Sequence, residues 1–234
     1  LVAGGVRLDN WTNENGFRLE DDLQTGDVTL DEAEEKRSDT VFSGRLAARR
    51  ALGGGWSTRG AAYSGFRPAS LNELHRPFRV GNDLTEANAL LEPETLKGIE
   101  AGLAYADARF EFGASVFWNR IDNAIVNVTL AEGPGTFPRA GFVPSGGALR
   151  QRQNAGTIDA TGIELNAKAR IADGVDLRGA LSWTDAEMDG GTRAAQLTGL
   201  RPAQAPEWNA LLGLDWQASD RLKFNVDGRY ESDR

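Results

Sequence analysis

The feature that most constrains this chain is a two-residue alternation of apolar and polar side chains, sustained over segments of about ten residues. Phe110, Phe112, Ala114, Val116 and Trp118 share one parity, while Arg109, Glu111, Gly113, Ser115 and Asn119 share the other. The pattern recurs over 99–105, 163–171, 175–183, 208–216 and 222–230. Successive side chains of a strand point to opposite faces, so each segment reads as a β-strand with one apolar face. Weaker alternation over 2–9, 41–50 and 54–64 brings the expectation to about nine strands. Runs of this length exceed the usual soluble strand and suit a tilted membrane span.

The connections alternate in length. Tight turns are expected at 50–55, 106–108, 172–174 and 218–220, and long loops at 12–38, 66–91, 131–150 and 188–199. Short turns on one side and long loops on the other are what an up-and-down membrane barrel produces. A Greek-key sandwich has no reason for that order. Aromatic residues sit near strand ends on the apolar face: Tyr105, Trp118, Trp183, Trp208, Trp216 and Tyr230. That is where the two interfacial belts of a membrane barrel would fall. The polar face carries both charge signs deep in the strands, through Glu100, Glu111, Glu164, Lys168, Arg170, Arg178 and Asp215, as a wet or plugged lumen tolerates.

Charge is unevenly placed. Residues 12–39 hold ten acids against three bases, most of the chain's net charge of −8. Such a block is expected to be a solvated loop rather than strand, and it would repel an anionic ligand passing nearby. No basic patch points to nucleic acid. No run of 18 apolar residues could form a membrane helix. The chain opens Leu1-Val2-Ala3 without a basic-then-apolar leader, the expectation being a cytosolic protein or an internal piece of a longer one.

Four ordered motifs narrow the reading. They are Gly65-Phe66-Arg67-Pro68-Ala69-Ser70-Leu71-Asn72-Glu73-Leu74, then Leu91-Glu92-Pro93-Glu94-Thr95, then Glu100-Ala101-Gly102, then Asn154-Ala155-Gly156 with Gly162-Ile163-Glu164. This series resembles the barrel half of TonB-dependent outer-membrane receptors over roughly Gly54 to Arg234, with His75 where the family usually has Tyr. The resemblance implies an all-β, antiparallel up-and-down transmembrane barrel of about 22 strands around a plug. Residues 1–234 would be about nine of those strands, near the eleventh to the nineteenth, with the plug and the last three strands outside. Phe66, Arg67, Pro68, Glu73, Pro93, Glu94, Glu100, Gly162 and Glu164 would be structural motif positions, Glu100 and Glu164 facing the lumen. It further implies a bacterial outer-membrane location, contact with outer-membrane lipid and the plug, TonB acting through the plug, and a small nutrient ligand such as siderophore-bound iron or cobalamin.

Few residues offer chemistry of their own. The chain has no Cys and one His, His75, so no thiolate site, His-based triad or zinc cluster is expected, and no cofactor or enzymatic role. Asp185, Glu187, Asp189 and Gly190 imitate the start of a calcium loop, but Gln196 stands where its bidentate Glu belongs, so an acidic strand end is the expectation. Gly53-Gly54-Gly55 lacks the Lys-Ser/Thr of a phosphate loop and marks a turn. Phe137, Arg139, Phe142, Arg150 and Arg152 lie in or beside a Gly/Pro-rich loop, with Phe78 and Arg79 on the loop before it. Arginines and aromatics on a rim can hold a ligand by charge and stacking, so Phe78, Arg79, Phe137, Arg139, Phe142 and Arg150 are the ligand-contact candidates. Two rival readings remain at this point: a passive porin-like barrel, and a soluble β-sandwich carbohydrate-binding module using Trp platforms.

Overall fold

A computed structural model describes residues 1–203 and 205–233. In chain order the elements are β1 (Val2–Asn13), β2 (Phe17–Asp21), β3 (Val28–Ala33), β4 (Arg37–Gly53), β5 (Trp56–Arg67), α1 (Leu71–His75), β6 (Phe78–Val80) and β7 (Asp83–Glu86). They continue with β8 (Glu94–Ala106), β9 (Phe110–Asp122), β10 (Ile125–Glu132), β11 (Gly135–Phe137), β12 (Gly141–Val143) and β13 (Ala148–Asn154). The last are β14 (Thr157–Ala172), β15 (Val175–Asp189), a 3-10 turn at Ala195–Leu197, β16 (Trp208–Ser219) and β17 (Leu222–Glu231).

Nine strands form one antiparallel sheet in the order β1-β4-β5-β8-β9-β14-β15-β16-β17. Each pairs with its sequence neighbours in that series, as an up-and-down wall requires. Tight turns join β4 to β5, β8 to β9, β14 to β15 and β16 to β17 at one edge. The first needs glycine: Gly55 has φ +87°, and a Cβ there would stand 2.6 Å from the Ala106 carbonyl oxygen. In the second, Asp107 accepts from the amides of Arg109 (2.8 Å) and Phe110 (2.7 Å) and from the Tyr105 hydroxyl.

The register sorts the side chains into two faces. Ile163 stands opposite Val116 and Trp183, and Gly179 opposite Leu212, so the apolar parity lines up across strands. That face lies open: Val6 is 78% exposed, Val226 64% and Leu212 60%. No second layer packs on it among the described residues, which removes the sandwich reading. Two aromatic belts bound it. Near the tight turns lie Trp56, Tyr105, Phe110, Trp216 and Phe224, with Trp56 and Tyr105 5.0 Å apart and Trp216 and Phe224 5.4 Å apart. At the opposite end Trp183 meets Trp208 at 6.3 Å, beside Trp118 and Tyr230. Trp208 and Trp216 are eight residues apart on β16. With a strand rise of about 3.3 Å and a tilt near 40°, the belts are roughly 20 Å apart along the barrel axis, close to the apolar band of an outer-membrane barrel.

The structure corrects the reading of residues 12–39. They are not an unstructured loop: β1 runs to Asn13, β4 starts at Arg37, and β2 and β3 pair as a hairpin between them. Phe17, Leu19, Val28 and Leu30 supply an alternation that the acid count obscured. The two central long excursions also fold. β10, β13, β7 and β6 make a second sheet in which β13 and β7 run parallel, capped by the β11–β12 hairpin. The described buried apolar residues gather mainly here and at the strand ends beneath it: Leu84, Val143 and Leu149 form one cluster, and Val128, Ala155 and Ala194 another.

Candidate functional site at the loop-bearing rim

The motif residues converge where the wall meets its long loops. Ser70 caps α1: its hydroxyl accepts from the Glu73 amide while the Glu73 carboxylate accepts from the Ser70 amide at 2.7 Å, a reciprocal capping box. Glu73 also accepts from Arg67 Nη1 (2.9 Å) and Nη2 (3.2 Å). Arg67 Nε reaches Glu94 Oε2 at 2.6 Å, and Glu94 Oε1 accepts from the Ile125 amide at 2.7 Å. One guanidinium thus ties the end of β5, the helix and the start of β8 together. Burial pushes the Glu73 carboxyl up, but the Arg67 bonds, the Ser70 amide and the Ser70 hydroxyl outweigh it and hold it at about 2.

Asn154 closes the other side. Its amide nitrogen donates to the carbonyls of Glu92 (2.9 Å) and Asn123 (2.8 Å), and its oxygen accepts from the Glu92 amide (2.8 Å). Gly156 follows at φ +79°, where a Cβ would overlap the Asp189 carbonyl. Gly162 lies under the Phe117 ring, and a Cβ would come within 2.4 Å of it. Phe66 and Pro68 flank Arg67, and Pro93 stands between Glu92 and Glu94. On the lumenal face, Glu100 lies 3.9 Å from Arg45 and 3.7 Å from Arg59, and Glu164 is exposed on the same parity. Ser70 and Asn154 are structural keys that the motif letters held without revealing their partners.

The six ligand-contact candidates all belong to the folded loop assembly. Arg79 donates to the Phe142 carbonyl at 2.9 Å, Arg139 pairs with Glu32 at 2.6 Å, and Arg150 pairs with Asp83 at 2.8 Å. Phe137 packs against the Leu84, Val143 and Leu149 cluster. These four therefore hold loops to one another. Phe142 is 60% exposed, and Phe78 is partly exposed with the Arg152 guanidinium 4.9 Å over its ring centroid. Two features escaped sequence reasoning. The first is the buried Arg18–Glu86 ion pair (2.7 Å), which fastens the acidic hairpin to β7 and leaves Glu86 Oε1 without a hydrogen-bond partner among the described residues. The second is a polar hollow of about 650 Å³ at the rim, lined by Trp11, Arg37, Asp39, Glu92 and Asn123. Trp11 Nε1 is buried with no acceptor among the described residues. His75 ends α1 beside Gly16, and no cluster of metal-ligating side chains occurs among the described residues.

The family "TonB dependent receptor-like, beta-barrel" matches residues 1–234, the last of which, Arg234, lies outside the described residues. The iron-regulated outer membrane virulence protein of Vibrio cholerae serotype O1 is 27% identical over 222 residues, covering 93% of this chain and 32% of that protein. The chain therefore spans about a third of the length of its curated relatives. Among solved structures, the copper transporter OprC superposes with a TM-score of 0.71 at 18% identity, covering 97% of this chain and 32% of that one. The ferric yersiniabactin uptake receptor FyuA of Yersinia pestis gives 0.63 at 20% identity, covering 97% and 30%. At such identities these two show the fold. The lipid-ready outer face, the two aromatic belts, the interlocked motif series and the full-length family match agree: this chain belongs to the TonB-dependent receptor β-barrel family and is a partial barrel of the bacterial outer membrane.

Proposed function

We propose that residues 1–234 are the wall and four outer loops of a receptor that captures a scarce nutrient chelate, siderophore-bound iron first among the classes, for TonB-energised uptake. The remaining strands and a lumen-filling plug belong to the same polypeptide outside these residues, and TonB acts through that plug. The role is binding and transport rather than catalysis. The observation that carries the reading is the folded rim. Long loops of a passive pore need no internal core, yet here they form their own sheet, with Phe78 on β6, Phe142 on the β11–β12 hairpin and the Trp11 hollow beside them where β1 and β4 reach the rim. A preorganised surface loses little entropy on binding, as a high-affinity capture site requires.

The relatives support this reading: an iron-regulated outer-membrane protein, an iron transporter and a ferric yersiniabactin uptake receptor. The test is equilibrium binding of ferric siderophores, cobalamin, haem and oligosaccharides to the full-length receptor, with uptake measured in cells with and without TonB. Saturable binding of one class, lost when Phe78 and Phe142 are both changed to Ala, is the expected result. Uptake that is linear in concentration and indifferent to TonB would establish a passive porin instead.

A further inference from the structure

Arg49 on β4 and Arg59 on β5 are direct cross-strand partners on the lumenal face. Like charges directly opposite in a sheet repel. Arg45 adds a third cation on the same face, four residues further from the tight turns than Arg49. The one carboxylate beside them is Glu100, a loose ion-pair partner 3.7 Å from Arg59 and 3.9 Å from Arg45, beyond hydrogen-bond distance of either and shared between them. The other side-chain contacts of the facing pair are to hydroxyls: Arg49 to Ser57 at 3.3 Å and Arg59 to Ser115 at 2.8 Å. Ala3, Ala47, Ala61 and Ala104 leave a hollow of about 330 Å³ around these guanidinium groups.

The rest of the wall manages charge differently. Lys168 stands opposite Glu111, and Arg170 pairs with Asp176. Even the like pair Asp176 and Asp215 is neutralised, by Arg170 and by Arg178, which also reaches Asp227. The facing like pair Lys168 and Arg178 is balanced too, by Glu111 opposite Lys168 and by Asp215 and Asp227 on Arg178. Around Arg45, Arg49 and Arg59, by contrast, three cations share the single carboxylate of Glu100 among the described residues. The repulsion is offset if an anion enters from the lumen. Arg59 lies three residues above Trp56, so the site is inside the membrane span, below the rim where a ligand first arrives.

We propose that Arg45, Arg49 and Arg59 form the wall's half of a carboxylate-binding contact. The other half is an acidic stretch of the lumen-filling segment of the same polypeptide, outside residues 1–234. The inference rests on the receptor reading, since it needs an occupied lumen. Two facts favour a tethered occupant over free anions. The relatives are about three times as long as this chain, so there is polypeptide to fill the lumen. A covalently tethered carboxylate also meets the arginines at a high effective concentration, without the entropy loss of a free ion. Arginine is suited to the task because its planar fork binds carboxylates through two parallel hydrogen bonds.

The test uses the full-length receptor with Arg49→Gln and Arg59→Gln together, a change that removes the repulsion and leaves the backbone ladder of the wall intact. Hydrogen exchange is measured across the lumen-filling segment, with membrane conductance as urea is raised. The expected result is exchange faster by roughly tenfold or more in one acidic stretch, opening of conductance at lower urea, and unchanged rim binding. High salt should reproduce part of the effect in the unaltered protein. Arg49→Glu with Arg59→Glu, combined with Lys at the acidic stretch, should restore protection. Unchanged exchange and conductance would overturn the proposal. If uptake of anionic but not neutral cargo then fell, the arginines would belong to the permeation path. An unaltered receptor that conducts freely and has no protected lumenal segment would instead refute the receptor reading itself.

Discussion

Replacing Leu212 by arginine places a charge at the centre of the apolar face. Leu212 is 60% exposed, faces away from the lumen, and lies four residues from Trp208 and four from Trp216 on β16. At about 3.3 Å per residue and a tilt near 40°, it is roughly 10 Å from either belt. Its cross-strand neighbours are Gly179 and Gly228, which offer the guanidinium neither a carboxylate nor cover. An arginine at the midplane of such a barrel costs about 2–4 kcal/mol, or roughly 1.5 to 3 decades in the folding equilibrium. Asn209→Arg is the control. It faces the lumen at the loop-bearing end, opposite Ser182 and Glu231, and should change stability by less than about 0.5 kcal/mol. Both variants are made in the full-length receptor and followed by urea unfolding in lipid vesicles and by heat-modifiable gel mobility. A lower unfolding midpoint and less assembled barrel for Leu212→Arg alone is the expected outcome. Equal effects of the two variants would show that the facing assignment is wrong.

Glu73 gives a pH prediction: its carboxyl sits at about 2 against an ordinary 4.5, so the stability it contributes is complete above the higher value and fades as pH falls through the lower. At ~1.36 kcal/mol per unit the ceiling is about 3 kcal/mol, reduced to about 1–2 by the half-exposed Arg67, so Glu73→Gln should cost that much near neutrality and flatten the acid dependence of proteolysis of the 68–93 loop. Arg18→Met leaves Glu86 buried without its cation and should loosen the acidic hairpin by about 3–5 kcal/mol, read as hydrogen exchange over 17–33, with Glu86→Gln in the same chain recovering much of it. Gly162→Val forces a side chain into the Phe117 ring and the Trp183 carbonyl and should destabilise the wall by about 1–3 kcal/mol in urea titration, whereas at Gly60→Ala the added Cβ meets its nearest neighbour at an ordinary 3.5 Å and should be tolerated.

The wall was legible because each strand carries its own alternation, and pairing with sequence neighbours needs nothing beyond short turns. The same logic was available for β2 and β3 in Phe17-Arg18-Leu19-Glu20 and Val28-Thr29-Leu30-Asp31, but local acid density weighed more heavily. What decides for strand is remote: Arg18 finds Glu86, 68 residues away, and buries with it. The loop sheet was beyond local reading for a related reason. Leu84 pairs with Leu149 in parallel, a contact that no periodicity within either segment announces.

The site was legible as letters before it was legible as contacts. Ser70 and Glu73 carry a capping signal that sequence alone could have yielded, and that signal locates α1. Arg67 joining Glu73 to Glu94, and Asn154 clasping Glu92, are three-dimensional facts that explain why four separated motifs travel together. The six candidate contacts did fall in one assembly. Chemistry at the residue level, Arg and Phe in a Gly/Pro-rich loop, could not separate arginines that fasten loops from aromatic rings left at the surface.

The most direct test of the central claim, that this chain is a barrel wall with lipid on one face and an aqueous lumen on the other, is a nitroxide scan. Single cysteines at positions 208–216 of the full-length receptor are spin-labelled in bilayers, and their accessibilities to oxygen and to a water-soluble nickel chelate are compared. The account predicts a two-residue alternation, with even positions oxygen-accessible and peaking at 212 and odd positions favouring the chelate. An absent alternation, or one of opposite phase, would contradict it.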